Sequence, residues 1–357
     1  MMCGSELPED VGADRHGPAP RRRRRSGERR SLARRGFGPG PGQGRAPAAQ
    51  VIELLSGNGG LPDRLRGGVV ALGNFDGIHR GHQAVIERAV MMARDMGVAA
   101  VVGTFDPHPR RFFRPEDPPF RLTSLEHRMR LLGTLGVDAM MVFDFDGPLA
   151  AVTPEQFVDQ CLRNVGGIVT GADFAFGRAR SGDVRRLGEL GAERGIACIA
   201  IDKLASGECD ISSSRIRRAL AAGDCAEACR LLTRPFAVEG VLRRGQREDP
   251  HLPLLDASID LGEYVRPRRG VYAVRATVEG GRRLGGSAFL QPTPEDDLLE
   301  LFLVDVEPGD LDRRVTIEFI AHLHDAETIF DPPALRRVIQ TDRETGNRMA
   351  ASPDQGS

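Results

Sequence analysis

The sequence predicts a two-domain α/β chain, in which a doubly wound parallel sheet is followed by an antiparallel, barrel-like β domain. Two observations carry this. From Gly67 onward, five β-rich runs alternate with helical stretches: Val69 to Leu72, Ala99 to Thr104, Ala139 to Phe145, Gly167 to Gly171 and Gly195 to Ile201. Strands separated by helices pair in parallel, because a helical crossover returns the chain to the same edge of the sheet. After Leu232 the helical periodicity stops. Val238 to Arg243, Val271 to Val278, Leu298 to Val304 and Val315 to Ile320 then follow one another through Gly, Pro and Asp turns, as antiparallel strands do.

His82 to Met96 places Val85, Ile86, Ala89, Val90, Ala93 and Met96 on one stripe, so this helix packs on the sheet. Thr123 with Glu126, and Thr153 with Gln156, are spaced as capping boxes, the second with Pro154 at the first helical position. The change of texture falls near Thr233 to Pro235, which gives domains at 67–232 and 235–345. A closing helix is predicted from Pro333 to about Thr341, with a flexible tail at 346–357. Residues 1–50 stand apart as an Arg/Gly/Pro-rich arm that has almost nothing to bury and is expected to be disordered. They read as a solvated tail or an upstream extension, and no function is assigned to them.

Composition narrows the function classes. With 357 residues and 49 basic against 50 acidic groups, the net charge is -1, and no global field gathers nucleic acid or lipid. The arm carries eleven Arg and five acids, +6, and the remaining chain -7. Nucleic acid is therefore not expected as a partner. No run approaches the ~18 apolar residues of a membrane span, and the N-terminus lacks a secretory h-region, so a cytoplasmic location is expected. The six cysteines include no Cys-x-x-Cys pair and read as reduced thiols. Cys225 and Cys229 could share a helix face as half of a metal site, but no second pair completes it.

The chemistry concentrates in four segments that each follow a predicted strand of the first domain. Gly73-Asn74-Phe75-Asp76-Gly77-Ile78-His79-Arg80-Gly81-His82 joins the first strand to the first helix, where open α/β sheets bind nucleotides. Its glycines let backbone run close to phosphates, and two imidazoles three residues apart can meet one anion at a helix start. It fits neither the dinucleotide fingerprint nor the loop ending in Gly-Lys-Ser/Thr. Thr104-Phe105-Asp106-Pro107-His108-Pro109 is a stiffened loop with a ring, a carboxylate and an imidazole. Gly171-Ala172-Asp173-Phe174-Ala175-Phe176-Gly177 combines an acid with two rings, and Ile211-Ser212-Ser213-Ser214-Arg215-Ile216-Arg217 opens a helix with three hydroxyls. Serine there serves as a helix cap or an anion ligand. Convergence of all four at one sheet edge favours a nucleotide site over four ordinary connections.

Together these motifs resemble the bacterial FAD synthetases, the bifunctional riboflavin kinase/FMN adenylyltransferase family. The likeness covers roughly residues 67 to 345 and is strongest up to Leu232. It implies a Rossmann-like His-x-Gly-His nucleotidyltransferase domain followed by a riboflavin-kinase-like β-barrel. The implied reaction transfers AMP from ATP to FMN, giving FAD and pyrophosphate, with Mg²⁺ accompanying ATP. His79 and His82 are then the catalytic pair, bonding the phosphates as charge builds on the leaving group. ATP falls to Gly73, Asn74, Phe75, Asp76 and Gly81, with Asp76 ordering the loop, and to Ser212, Ser213, Ser214 and Arg217 at the β- and γ-phosphates. Flavin falls to Phe105, Asp106, Pro107, His108 and Pro109, and to Asp173, Phe174 and Phe176, which fix the flavin or the adenine side. No metal ligands are assigned.

The second half keeps the family's texture in Arg234-Pro235-Phe236 and Leu299-Glu300-Leu301, where Glu300 matches the kinase carboxylate. Its Gly-Phe-Pro-Thr-Ala-Asn segment, however, aligns with Leu254-Leu255-Asp256-Ala257-Ser258, so that Asp256 replaces Thr and Ser258 replaces Asn. A carboxylate beside nucleotide phosphates repels them. The segment Gly245 to His251 adds two more acids. A degenerate kinase site at Asp256, Ser258 and Glu300 is therefore expected, with phosphorylation of riboflavin weak or absent. The rival readings are a nucleotidyltransferase with another phosphorylated acceptor, and a non-catalytic flavin- or RNA-binding protein.

Overall fold

A computed structural model of the chain describes residues 52–206, 209–244, 255–291 and 298–326. The basic arm, the segment from Gly245 to His251, the Pro333 helix and the terminal tail lie outside the described residues.

The first domain is built on a six-stranded, wholly parallel sheet. Its strands are β1 (Glu53–Ser56), β2 (Val69–Leu72), β3 (Ala100–Asp106), β4 (Ala139–Asp144), β5 (Gly167–Gly171) and β6 (Ala197–Ile201), in the spatial order β1-β4-β3-β2-β5-β6. Val69, Val70 and Ala71 are fully buried, as the middle of a sheet covered on both faces requires. The helices are α1 (Arg80–Met96), α2 (Pro109–Phe113), α3 (Leu125–Thr134), α4 (Gly147–Ala151), α5 (Pro154–Cys161), α6 (Val184–Glu193), α7 (Ser213–Ala221) and α8 (Cys225–Leu232). One face of the sheet packs on α1 through Val85, Ile86, Ala89, Val90 and Ala93, and the other on Phe157, Val158, Leu187 and Leu190 of α5 and α6. Each such side chain taken out of water is worth about 1.5–3 kcal/mol before entropy is counted. β2 pairs with β3 on one side and β5 on the other, so the connections diverge between β2 and β5 and open a crevice at the strands' carboxyl ends.

Three expectations need correction. The sheet begins earlier than residue 67, because Glu53–Ser56 pairs with β4 as an edge strand. Met96 is 45% exposed and Met92 takes its place in the core, since the stripe turns away from the sheet in the last helical turn. The cap of α3 is Ser124, whose hydroxyl accepts from the His127 amide, whereas Thr123 faces Asp76. The Thr153–Gln156 capping box is present.

A short hairpin, β7 (Ala205–Ser206) with β8 (Cys209–Asp210), precedes α7. The second domain is a curled, seven-stranded antiparallel sheet. Its strands are β9 (Phe236–Val241), β10 (Arg243–Arg244), β11 (Leu255–Asp260), β12 (Gly270–Val278), β13 (Arg283–Leu290), β14 (Leu298–Leu303) and β15 (Arg314–Asp325), ordered β10-β11-β14-β13-β12-β15-β9. The curl brings Gly240 of β9 against Ile259 of β11, where a Cβ on Gly240 would stand 3.0 Å from the Ile259 Cβ. Its interior of Val238, Ile259, Val274, Leu301 and Ile317 is continuous with Ile216, Leu220, Leu231 and Leu232 of α7 and α8. The two domains thus share a core through the pair of helices that joins them. Side chains also cross: Glu239 of β9 accepts from Ser124 and Arg130 on the first domain.

Candidate active site

The loop from Gly73 to His82 is held open by backbone that only a well-anchored segment tolerates. Phe75 (φ 48°), Gly77 (φ 91°) and Ile78 (φ 41°) all lie in the left-handed region, which costs a β-branched or aromatic residue of order 1–3 kcal/mol. Burial of the Phe75 and Ile78 side chains offsets this. Gly77 has no alternative, since a Cβ there would come within 2.9 Å of Leu122.

At the end of the loop His79 caps α1, its Nδ1 accepting the His82 amide at 3.3 Å. The two imidazoles stack with centroids 3.5 Å apart and planes 19° from parallel, and Phe75 lies edge-on to His82 at 5.3 Å. Burial, the largest cause, lowers the His79 pKa to about 4 and drives His82 well below its ordinary value; His79, Arg128, Arg217 and Arg234 push His82 the same way. Both rings are therefore neutral at pH 7. With Nδ1 of His79 accepting, its proton sits on Nε2, which leaves an N–H donor. Nδ1 of His82 is buried and has no hydrogen-bond partner.

Asp76 ties the segments together. Its buried carboxylate accepts from the amides of Leu122 (2.9 Å) and Thr123 (3.1 Å) and from Arg217 Nη2 (2.5 Å). Its main-chain oxygen accepts from Ser213 Oγ at 2.9 Å. The serine helix is thereby fastened to the histidine loop, and Gly81 lies beside it: a Cβ on Gly81 would stand 3.3 Å from the His79 ring and 3.8 Å from the Ile211 carbonyl. Ser212 caps α7 by accepting the Arg215 amide, and Ser214 is exposed on its first turn. Arg217 also donates to the Phe120 carbonyl and lies 5.0 Å over the Phe120 ring.

The second predicted segment forms the adjoining wall. Asn74 O accepts from Thr104 Oγ1, which in turn accepts from Arg128 Nη1 at 3.0 Å. Asp106 pairs with Arg121 at 3.0 Å. His108 caps α2, lies edge-on to Phe120, and is lowered to about pKa 4 by burial. Pro107 is exposed, and Pro109 opens α2. A cleft runs between Asp76, Phe105, His108, Phe120 and Arg128 of the first domain and Glu263 of the second. Its carboxylates are each engaged: Asp76 by Arg217, Asp106 by Arg121 and Glu263 by Arg111 at 2.9 Å. Arg128, 3.9 Å from Asp76 and with a buried, partnerless Nε, shares that carboxylate with Arg217, so one carboxylate serves two guanidinium groups.

Not every predicted flavin residue reaches this cleft with a free face. Phe105, which touches the cleft, is mostly packed against Phe143, Phe145 and Phe157, and Phe176 is packed against Phe157 and Phe174 away from it. Asp173 is exposed and paired with Lys203 at 3.1 Å. Sequence reading missed Phe120, Arg128, Arg121 and Arg234, which line or back the site, and the exposed rings of Phe112 and Phe113 on α2, both edge-on to Phe145. The pair Phe112-Phe113 was the one available signal, since adjacent rings on a short polar helix have no core to enter.

The residues predicted for the kinase site lie on the second sheet. Ser258 of β11 is registered opposite Glu300 of β14, and Asp256 opposite Phe302. Gln291 donates to the Glu300 carboxylate.

This is the arrangement of a nucleotide-binding α/β domain joined to a β-barrel. A FAD synthetase family model matches residues 61–215, and a riboflavin kinase family model matches residues 232–350. The bifunctional riboflavin kinase/FMN adenylyltransferase of Pseudomonas fluorescens is 35% identical over 84% of this chain and 98% of its own length. That of Bacillus subtilis (strain 168) is 31% identical over 78% and 92%. A crystal structure of a macrolide-efflux protein from Streptococcus pneumoniae superposes with a TM-score of 0.71 at 24% identity, covering 84% of this chain and 99% of that one, a likeness of fold. The chain belongs to the bifunctional riboflavin kinase/FMN adenylyltransferase family.

Proposed function

We infer that the protein is a cytoplasmic FMN adenylyltransferase that makes FAD from ATP and FMN. A phosphate oxygen of FMN attacks the α-phosphorus of ATP, the bond from that phosphorus to the β-bridging oxygen breaks, and pyrophosphate leaves. The FMN oxygen is already anionic near neutral pH, so no side chain need act as base, and the work is positioning and charge neutralisation. One observation carries the reading: Asp76 fastens the start of α7 against the His79–His82 loop and holds the Arg217 guanidinium, so that two helix N-termini and a cation meet at one place. That is a site for a polyphosphate.

In this reading His79 and His82 donate to the leaving pyrophosphate, and Ser213, Ser214 and Arg217 attend the β- and γ-phosphates. Arg128 and Arg217, two guanidinium groups sharing one carboxylate, favour the FMN phosphate. Asp106, Pro107, His108 and Pro109, with the exposed rings of Phe112 and Phe113, offer the flavin its surface. Among the described residues no cluster of three His, Cys, Asp or Glu could hold a metal, and the cleft carboxylates are engaged by arginines. The described residues do not form a metal cage, so Mg²⁺ would come with ATP as its phosphate complex and would supply charge neutralisation there.

The kinase half is proposed to be impaired, because Asp256 and Ser258 stand where the family has Thr and Asn. No helix among the described residues is long and apolar enough to cross a membrane. The test is a product assay of the purified protein with ATP and either FMN or riboflavin. FMN is expected to give FAD and pyrophosphate, with riboflavin phosphorylated at least about tenfold more slowly because of the like charge beside the phosphates. Absence of FAD would refute the main reading; FMN production at a matching rate would refute the impairment.

A further inference from the structure

Arg234 lies in the short linker between the domains, one residue from Pro235 and two from the first barrel strand. Its guanidinium does not point toward solvent or toward a carboxylate. Nη2 donates to the Gly77 carbonyl at 2.6 Å, and Nη1 donates to Ile78 at 3.3 Å and to Leu232 at 3.0 Å. Among the described residues no Asp or Glu pairs with it. The adjacent linker reinforces the attachment: Gln83 on α1 donates to the carbonyls of Ile78 and Leu232 and to the Thr233 hydroxyl. Three hydrogen bonds to neutral carbonyls leave this half-buried cation without a carboxylate partner among the described residues, with Cys229 the one group whose charge would favour it, and a desolvated cation so placed is costly enough to need an explanation. The desolvation it suffers shows in a pKa lowered to about 10.

Two consequences follow from where this charge sits. The carbonyls of Gly77 and Ile78 would otherwise present partial negative charge close to the start of α1. Arg234 turns them onto itself, and the loop's left-handed turn at Gly77 and Ile78 is locked in the form that places His79 at the helix cap. The guanidinium also lies near enough to both imidazoles to oppose their protonation, so its field reaches the position that an anion on those rings would occupy.

We propose that Arg234, a linker residue, is a positioning residue for adenylyl transfer, fixing the Gly77–Ile78 carbonyls behind the histidine pair and supplying positive charge to the polyphosphate. The proposal rests on the function inferred above. It makes the adenylyltransferase site depend on the segment that begins the second domain.

The test uses the full chain and steady-state FAD formation from ATP and FMN. Arg234→Ala is expected to lower kcat about tenfold or more while moving the FMN KM less than about twofold, because the lost interactions act at the phosphates and not at the flavin. Arg234→Lys keeps the charge but not the fork, and is expected to fall between wild type and alanine with an unchanged melting temperature. A kcat for Arg234→Ala within about twofold of wild type would overturn the proposal, as would a rise in FMN KM that accounts for the whole loss. If the alanine variant does not fold, Arg234→Lys decides alone: a wild-type kcat contradicts the role of the fork. Wild type assayed in parallel separates the questions, since failure of wild type to form FAD sinks the function itself and not this residue's part in it.

Discussion

Replacement of Asp76 with Ala is expected to destabilise the folded chain by about 3–5 kcal/mol, the cost of breaking a buried charge pair by deleting one partner. The carboxylate accepts two amides and one guanidinium, and a second guanidinium stands 3.9 Å away. Its loss takes the nearest counter-charge from Arg217, which is half-buried, and from the buried Arg128, which keeps only the more weakly acting Asp106, and it orphans the amides of Leu122 and Thr123. Burial already opposes the charge on both arginines, and Asp76 is the group that restores it. Denaturant unfolding of Asp76→Ala against wild type measures the effect. A loss below about 1 kcal/mol would mean that the knot is held by its neighbours. Because Asp76 also receives Ser213 on its main-chain oxygen, the side chain and the backbone of one residue tie the start of α7 to the loop that precedes α1.

The second large effect is chemical. His82→Ala is expected to slow FAD formation by about a hundredfold, the cost of removing a donor that meets charge in the transition state. The FMN KM is expected to change little. A structural role predicts something else, because the ring is stacked on His79 and touches Phe75: its truncation would lower the melting temperature and leave the rate of the surviving folded fraction intact. Thermal denaturation alongside steady-state kinetics separates the two. Turnover equal to wild type would remove His82 from the mechanism.

The parts of this molecule that were legible in the sequence are those encoded by local pattern. Central strands read clearly because both faces are buried and the runs are continuous, as in Val69–Leu72 and Gly167–Gly171. The histidine loop, the His108 loop and the serine helix stood out because glycine, proline and hydroxyl residues occur at fixed intervals with a physical purpose. What escaped was weak in local signal. β1 is four residues with one buried side chain, an edge strand without alternation. β13 carries Gly285 and Gly286 at its centre, which reads as a turn. The shift of the α3 cap from Thr123 to Ser124 follows from Asp76, a residue 47 positions distant that recruits Thr123.

The same reasoning explains the site residues that were missed. Arg128 looks like any helical arginine until Thr104 and Asp76 close over it, and Phe120 gains its meaning from three guanidinium groups stacked at 4.9, 5.3 and 5.0 Å. Arg234 lies 157 positions from the carbonyl it holds. Conversely, Phe105 and Phe176 carried the right chemistry in the right loops, but their rings turn inward to pack against Phe157. A motif specifies which residue types are present; the direction of each side chain depends on the volume left by others.

In the proposed reaction one polyphosphate spans the histidine loop and the serine helix. A crystal structure with a non-hydrolysable ATP analogue and FMN tests it most directly. The expected result places the β- and γ-phosphates within hydrogen-bond reach of His79 or His82 and, at the same time, of Arg217 or a serine at the start of α7, with the FMN phosphate facing the α-phosphorus. A nucleotide bound solely to the second domain, or to one of these two segments without the other, would contradict it.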